Sequence, residues 1–231
     1  AGDGLPAHPV AALVPILFGV VLLDLIGFGI VIPILPFLSP QLGADKMDIA
    51  LIIVTYAVCA GLSGPFWGRL SDRFGRKPVI MVCLAGAAIA YVVLGLASQL
   101  WMVFAARGFA GLMAGNFGVA SAMMADITTP RNRARGMGLI GAAFGLGMML
   151  GPMLGGLLSG DSGSFVLPCI VAGGMSVLAI IAAARFLPES LPPEKRRQLV
   201  EQRAAAPDFS IYRLLVVTKS RLLMLQYVLH T

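Results

Sequence analysis

The sequence predicts an all-α integral membrane protein, a bundle of six transmembrane helices. Composition is the first reason. Of its 231 residues, 58% are hydrophobic and 12% charged, against ~45–50% apolar and ~25% charged in soluble domains. The chain lacks the charge that a water-facing surface requires. This argues against an ordinary soluble enzyme, and the mean hydropathy of +0.89 excludes disorder. The second reason is distribution. The apolar residues gather in six windows long enough to cross ~30 Å of hydrocarbon, which takes ~20 residues at 1.5 Å each. The third is backbone chemistry. Polar main-chain groups in lipid must be satisfied within their own segment, so each window is a helix. The short alternating segments of a β-barrel do not occur.

The six windows run Leu13–Leu38, Ile49–Phe66, Pro78–Ala97, Leu100–Ala125, Gly136–Leu158 and Ser164–Ala184. Basic residues orient them. Four lie in Arg69–Lys77 after the second window, three (Arg131, Arg133, Arg135) after the fourth, and eight from Arg185 onward, together 15 of the 17. Loops rich in Lys and Arg stay in the cytoplasm, so both ends of the bundle are expected there, in a cell (inner) membrane. Residues 1–12 form an N-terminal cytoplasmic segment without the basic region of a signal peptide, and the start at Ala1 rather than Met leaves the true N-terminus open. Residues 13–186 form the bundle. After Leu187-Pro188-Glu189-Ser190, which stops the helix, residues 187–213 read as a cytoplasmic linker. Residues 214–231 open a possible seventh span or an interfacial helix.

Two ionisable side chains fall inside the windows, Asp24 and Arg107. A charge at mid-membrane costs ~2.5–3.5 kcal/mol on insertion scales, so it turns toward protein or a wet cavity and marks function by default. Asp24 lies about 17 Å from the cytoplasmic end and Arg107 about 20 Å, from 1.5 Å per residue. They can meet, directly or through water, if the first and fourth spans are neighbours. Asp24 then serves proton coupling or cation recognition, with Arg107 tuning it. The alternative is an ion pair that only ties two helices together. Asn116 adds a polar contact in the cavity or a helix–helix hydrogen bond. The twelve methionines read mainly as packing.

Other chemistry has no home. Cys59, Cys83 and Cys169 each sit in an apolar run and read as buried thiols. His8 and His230 form no constellation, so no metal is expected. No phosphate-binding Gly-x-x-x-x-Gly-Lys-Ser/Thr loop occurs. No cofactor and no catalytic residues are predicted, and the net charge of +6 reflects loop topology rather than a nucleic-acid partner.

The segment Gly68-Arg69-Leu70-Ser71-Asp72-Arg73-Phe74-Gly75-Arg76-Lys77 reads as a tight charged turn between spans two and three, with Gly68 and Gly75 easing the turn and Asp72 set among cations. In span five, Gly147, Gly151 and Gly155 recur every four residues and line one close-packing face, with Pro152 and Gly156 beside them. These two stretches, with Asp24-Leu25-Ile26-Gly27 in span one and Arg107-Gly108 in span four, resemble the drug/proton antiporter branch of the major facilitator superfamily, near the tetracycline exporters. The resemblance covers about residues 13–190, the N-terminal six-helix half of that fold. It implies a cytoplasmic gate at Gly68, Asp72, Arg73, Gly75, Arg76 and Lys77, and an antiporter-motif helix at Gly147, Gly151, Pro152, Gly155 and Gly156. Tetracycline exporters carry an Asp before a Tyr in span three. Here Ala90 precedes Tyr91, which counts against tetracycline as substrate.

The resemblance implies a proton-coupled efflux antiporter of small amphipathic or drug-like molecules, working by alternating access between two six-helix halves. Its partners are the lipid bilayer, substrate and protons, and a second half. That half is either a continuation of this chain or a homodimer partner. The rival readings are a non-transporting assembly subunit of a membrane complex and a metabolite symporter.

Overall fold

The computed structural model describes residues 10–36, 42–159 and 165–205. Its helices are α1 (Val10–Val31, continuing into a tighter turn at Ile32–Ile34), α2 (Lys46–Phe74), α3 (Arg76–Gly95), α4 (Leu100–Leu112), α5 (Asn116–Ile127), α6 (Arg133–Ser159), α7 (Val166–Phe186) and α8 (Pro193–Ala205). With α4 and α5 taken as one crossing, six helical segments are long and apolar enough to span a membrane. The fold class read from composition therefore holds. The possible seventh span at 214–231, most of the N-terminal segment and part of the linker lie outside the described residues.

Helix α2 differs from its predicted span at both ends. It begins three residues before Ile49 because Asp45 caps it. The Asp45 carboxylate accepts the Asp48 amide at 2.8 Å, and the Asp48 carboxylate accepts the Asp45 amide at 3.1 Å, a reciprocal box that satisfies two helix-start donors. At its other end the predicted charged turn is mostly helix. Gly68 through Phe74 stay helical, and Gly75 alone makes the turn, at φ 109°. That backbone region is open to glycine at little cost. Gly68 is therefore not a turn residue. Charge marks where a chain leaves the lipid; it does not mark where a helix ends.

Span four also departs from expectation. It breaks at Met113-Ala114-Gly115, where Gly115's amide bonds the Met113 carbonyl at 2.9 Å instead of one four residues back.

Helix α1 is the hub and packs mainly on α6 and α7; α3 lies on α7 and α2 on α4. The α1–α6 contact is close enough that a Cβ added to Gly151 would lie 2.5 Å from the Gly29 Cα. Two apolar clusters form the core. Leu25 belongs to one and Ile26 to the other, so Asp24 sits at their junction. Of the cysteines, Cys83 and Cys169 are buried and Cys59 is half-buried, all as free thiols. Helices α2 and α6 leave broad apolar surfaces uncovered, including Val58, Leu62 and Phe66 on α2 and Phe144, Met149 and Met153 on α6. Helix α8 belongs to a separate unit, Pro193–Thr231. It is short and charged, with Glu194 in its first turn.

Candidate functional site

A cavity of about 350 Å³ opens beside Asp24. Asp24 and Arg107 are only 7% and 3% exposed, so both predicted intramembrane charges turn into the protein, and both line this one cavity. The similar depths computed from rise per residue thus bring them to a common site. They do not form an ion pair. Asp24 accepts a hydrogen bond from the side-chain amide of Asn116. The Arg107 guanidinium lies 4.3 Å from the Tyr56 ring centre and 6.0 Å from that of Phe28, within the range of attraction between a cation and an aromatic face. Its Nε is buried with no hydrogen-bond partner. Aromatic faces thus stand where a carboxylate was the simpler expectation.

Tyr56, Tyr91 and Phe28 complete the wall on α2, α3 and α1, and Met113 enters from the break in span four. None of these was named from the sequence as a site residue; Tyr91 entered only as the residue that follows Ala90. No spacing links residues on four separate segments, and the available signal was a tyrosine inside an otherwise aliphatic span. Asn116 is placed by the break, as the first residue of α5.

The motif between spans two and three folds into a second, separate cluster. Arg76 is buried and bonds the Asp72 carboxylate at 2.7 Å, Asp126 at 3.2 Å and the Ser71 hydroxyl at 2.5 Å. Charge-assisted contacts of this kind are about twice as strong as neutral ones. Glu189, just past α7, accepts the backbone amides of Arg76 at 2.9 Å and Lys77 at 3.2 Å. A carboxylate there satisfies two of the free donors at the start of α3 and complements its dipole. The Lys77 ammonium bonds the Ala184 carbonyl at 2.9 Å. Arg73 is exposed, beside the Phe74 ring. Glu189 stood in the stretch that stops the sixth helix and Asp126 just past the fourth window, but the contact of each with Arg76 is tertiary and left no local mark.

The span-five glycines divide by face. Gly147, Gly151 and Gly155 lie against Leu25, Gly29 and Ile30 of α1, and Pro152 reaches the same contact; Gly156 faces open space.

Comparison with known proteins agrees with this architecture. Residues 17–229 match the Major Facilitator Superfamily. The chain is 35% identical over 187 residues to the class H tetracycline resistance protein of Pasteurella multocida, covering 80% of this chain and 46% of that protein. It is 38% identical over 184 residues to the class C protein of Escherichia coli, covering 78% of this chain and 46% of the other. Its fold matches the crystal structure of the human organic anion transporter MFSD10 (TETRAN) with a TM-score of 0.74 at 30% identity, covering 83% of this chain and 50% of that one. The chain spans about half the length of these relatives. Family model, sequence relatives and fold agree, and the chain belongs to the major facilitator superfamily.

Proposed function

We propose that this chain supplies one half of a proton-coupled exporter of small amphipathic molecules. The supporting observation is the cavity itself, where a buried carboxylate and a buried guanidinium stand apart. Asp24 is held by Asn116, and Arg107 keeps an unsatisfied Nε beside aromatic faces. A volume of about 350 Å³ falls in the range of small-molecule sites, ~300–1,000 Å³. Asp24 is the proton-carrying group. Arg107 receives an acidic group of the substrate, and Phe28, Tyr56 and Tyr91 hold its flat apolar body. The likeness to an organic anion transporter and to tetracycline resistance proteins supports this substrate class.

In this reading, alternating access takes place against a second six-helix half, which covers the apolar faces of α2 and α6. The Arg76 cluster lies at the cytoplasmic end of an inner-membrane protein and forms part of the gate, together with Gly68, Asp72, Arg73, Gly75 and Lys77. The α1–α6 glycine contact is the flexible seam beside the site.

The test is exchange in proteoliposomes. The native assembly is reconstituted, a pH gradient imposed, and the movement of anionic and cationic aromatic drugs compared with that in the Asp24→Asn variant. Gradient-driven movement that disappears in the variant supports the proposal. Unchanged gradient-driven movement in a folded variant removes Asp24 from coupling. If no drug moves in either, the assembly-subunit reading takes over.

A further inference from the structure

The break in span four leaves main-chain acceptors that an unbroken helix would satisfy itself, and in lipid such groups require partners. The Gly111 carbonyl accepts the Ala114 amide at 3.1 Å; α2 adds a second bond to it and supplies the partner of the Leu112 carbonyl. The Ser63 hydroxyl donates to the Gly111 carbonyl at 3.0 Å, and the Trp67 indole N–H donates to the Leu112 carbonyl at 2.5 Å. In a continuous helix the Leu112 carbonyl would instead accept the amide of Asn116, four residues on. The Trp67 ring also rests directly on Gly115, where an added Cβ would lie 2.3 Å from the indole Cγ. Trp67 is buried, yet it does not line the cavity.

Asn116 follows Gly115 immediately, and its side chain is the hydrogen-bond donor to Asp24. On the other side, Trp67 precedes Asp72 by five residues on the same helix. We infer that Trp67 is a positioning residue: by occupying the Leu112 carbonyl it holds span four broken, and the broken geometry places Asn116 against Asp24. When α2 withdraws the indole, Leu112 takes the Asn116 amide. The helix then closes, and the Asn116 side chain turns away from the carboxylate. One carbonyl thus chooses between two donors, a discrete two-state element of the kind that coupling requires. Through it, movement of the helix carrying the gate motif reaches the proton-carrying group.

The role of Asp24 in transport rests on the preceding proposal, but the positioning itself can be read without transport. The readout is the infrared carbonyl stretch of protonated Asp24 at acid pH in the reconstituted native assembly, identified by its loss in Asp24→Asn. A hydrogen bond lowers this frequency. Asn116→Ala raises it, and Trp67→Phe, which keeps a ring over Gly115 but removes the donor, raises it to the same value. The Trp67→Phe/Asn116→Ala double variant goes no further than Asn116→Ala alone. If Trp67→Phe folds poorly, replacing Trp67 with benzothienylalanine removes the N–H at constant shape and makes the same comparison. A band unmoved by loss of the indole N–H, or shifts that add in the double variant, overturns the inference. Intact exchange in Asp24→Asn overturns the transport role instead and leaves the band result standing.

Discussion

The Asn116 side-chain amide donates to the Asp24 carboxylate, while Arg107, on the wall of the same cavity, turns its guanidinium to the Tyr56 ring. A carboxylate bonded by a neutral amide keeps its freedom to take up and release a proton. A carboxylate bonded to a guanidinium would lose much of it.

From this relationship Asp24→Asn is expected to fold normally, since an amide can keep one bond to Asn116. It is expected to lose gradient-driven exchange while still binding substrate. Binding is measured by equilibrium titration and exchange by proteoliposome flux. Loss of both together would make Asp24 a structural residue.

Arg107→Ala is expected to weaken the binding of an anionic aromatic ligand at least tenfold, about 1.4 kcal/mol. A neutral analogue of the same shape loses less, because only the charged group uses the free Nε. Arg107→Lys recovers part of the affinity, since an ammonium keeps the charge but lacks the planar fork and its stacking on Tyr56. Equal losses for the anionic and neutral ligands would remove Arg107 from substrate recognition.

The membrane-crossing helices and the two intramembrane charges were legible in the sequence, because lipid imposes length and apolarity on every span and makes a lone Asp24 or Arg107 conspicuous. The break at Met113-Ala114-Gly115 was not. It contains no proline, and the Leu112 carbonyl it frees is bonded by Trp67, 45 residues earlier, while Ser63 adds a second bond to the Gly111 carbonyl. The charged stretch before Gly75 looked like a loop because composition records the lipid boundary and not backbone hydrogen bonding. Spacing put Gly147, Gly151 and Gly155 on one face and Gly156 off it, but which neighbour that face meets was not legible, because it depends on how α6 is rotated against α1.

Arg76→Ala is expected to destabilise the bundle strongly, by about 3–5 kcal/mol, because it removes a buried guanidinium from the buried Asp72 carboxylate and from the partly buried Asp126. Arg76→Lys regains only part, lacking the two-pronged reach to Asp72 and Asp126. Asp126→Asn costs less than Asp72→Asn, since Asp126 is the longer contact, 3.2 Å against 2.7 Å, and its side chain is more exposed, 14% against 7%. Melting temperatures of the detergent-solubilised protein rank the four variants. A reversed order of the two aspartates would mean that the pairing with Arg76 does not set the stability of this cluster.

Gly151→Ala and Gly156→Ala lie in the same motif and make the same chemical change, yet opposite outcomes are expected. At Gly151 the new methyl would sit 2.5 Å from the Gly29 Cα and 2.9 Å from the Ile26 carbonyl oxygen, backbone atoms on both counts. Neither can rotate aside, so α1 and α6 must separate, at a cost of about 1–3 kcal/mol. At Gly156 the methyl meets no atom within 4 Å, and alanine favours a helix over glycine by up to ~1 kcal/mol. Thermal unfolding in detergent should therefore show a lowered midpoint for Gly151→Ala and an equal or raised one for Gly156→Ala. Gly29→Ala, facing the same contact from α1, should behave like Gly151→Ala, because its methyl would lie 2.7 Å from the Gly147 carbonyl oxygen. Equal midpoints for Gly151→Ala and Gly156→Ala would show that the α1–α6 seam is looser than this geometry, and these glycines would then need a role other than close packing.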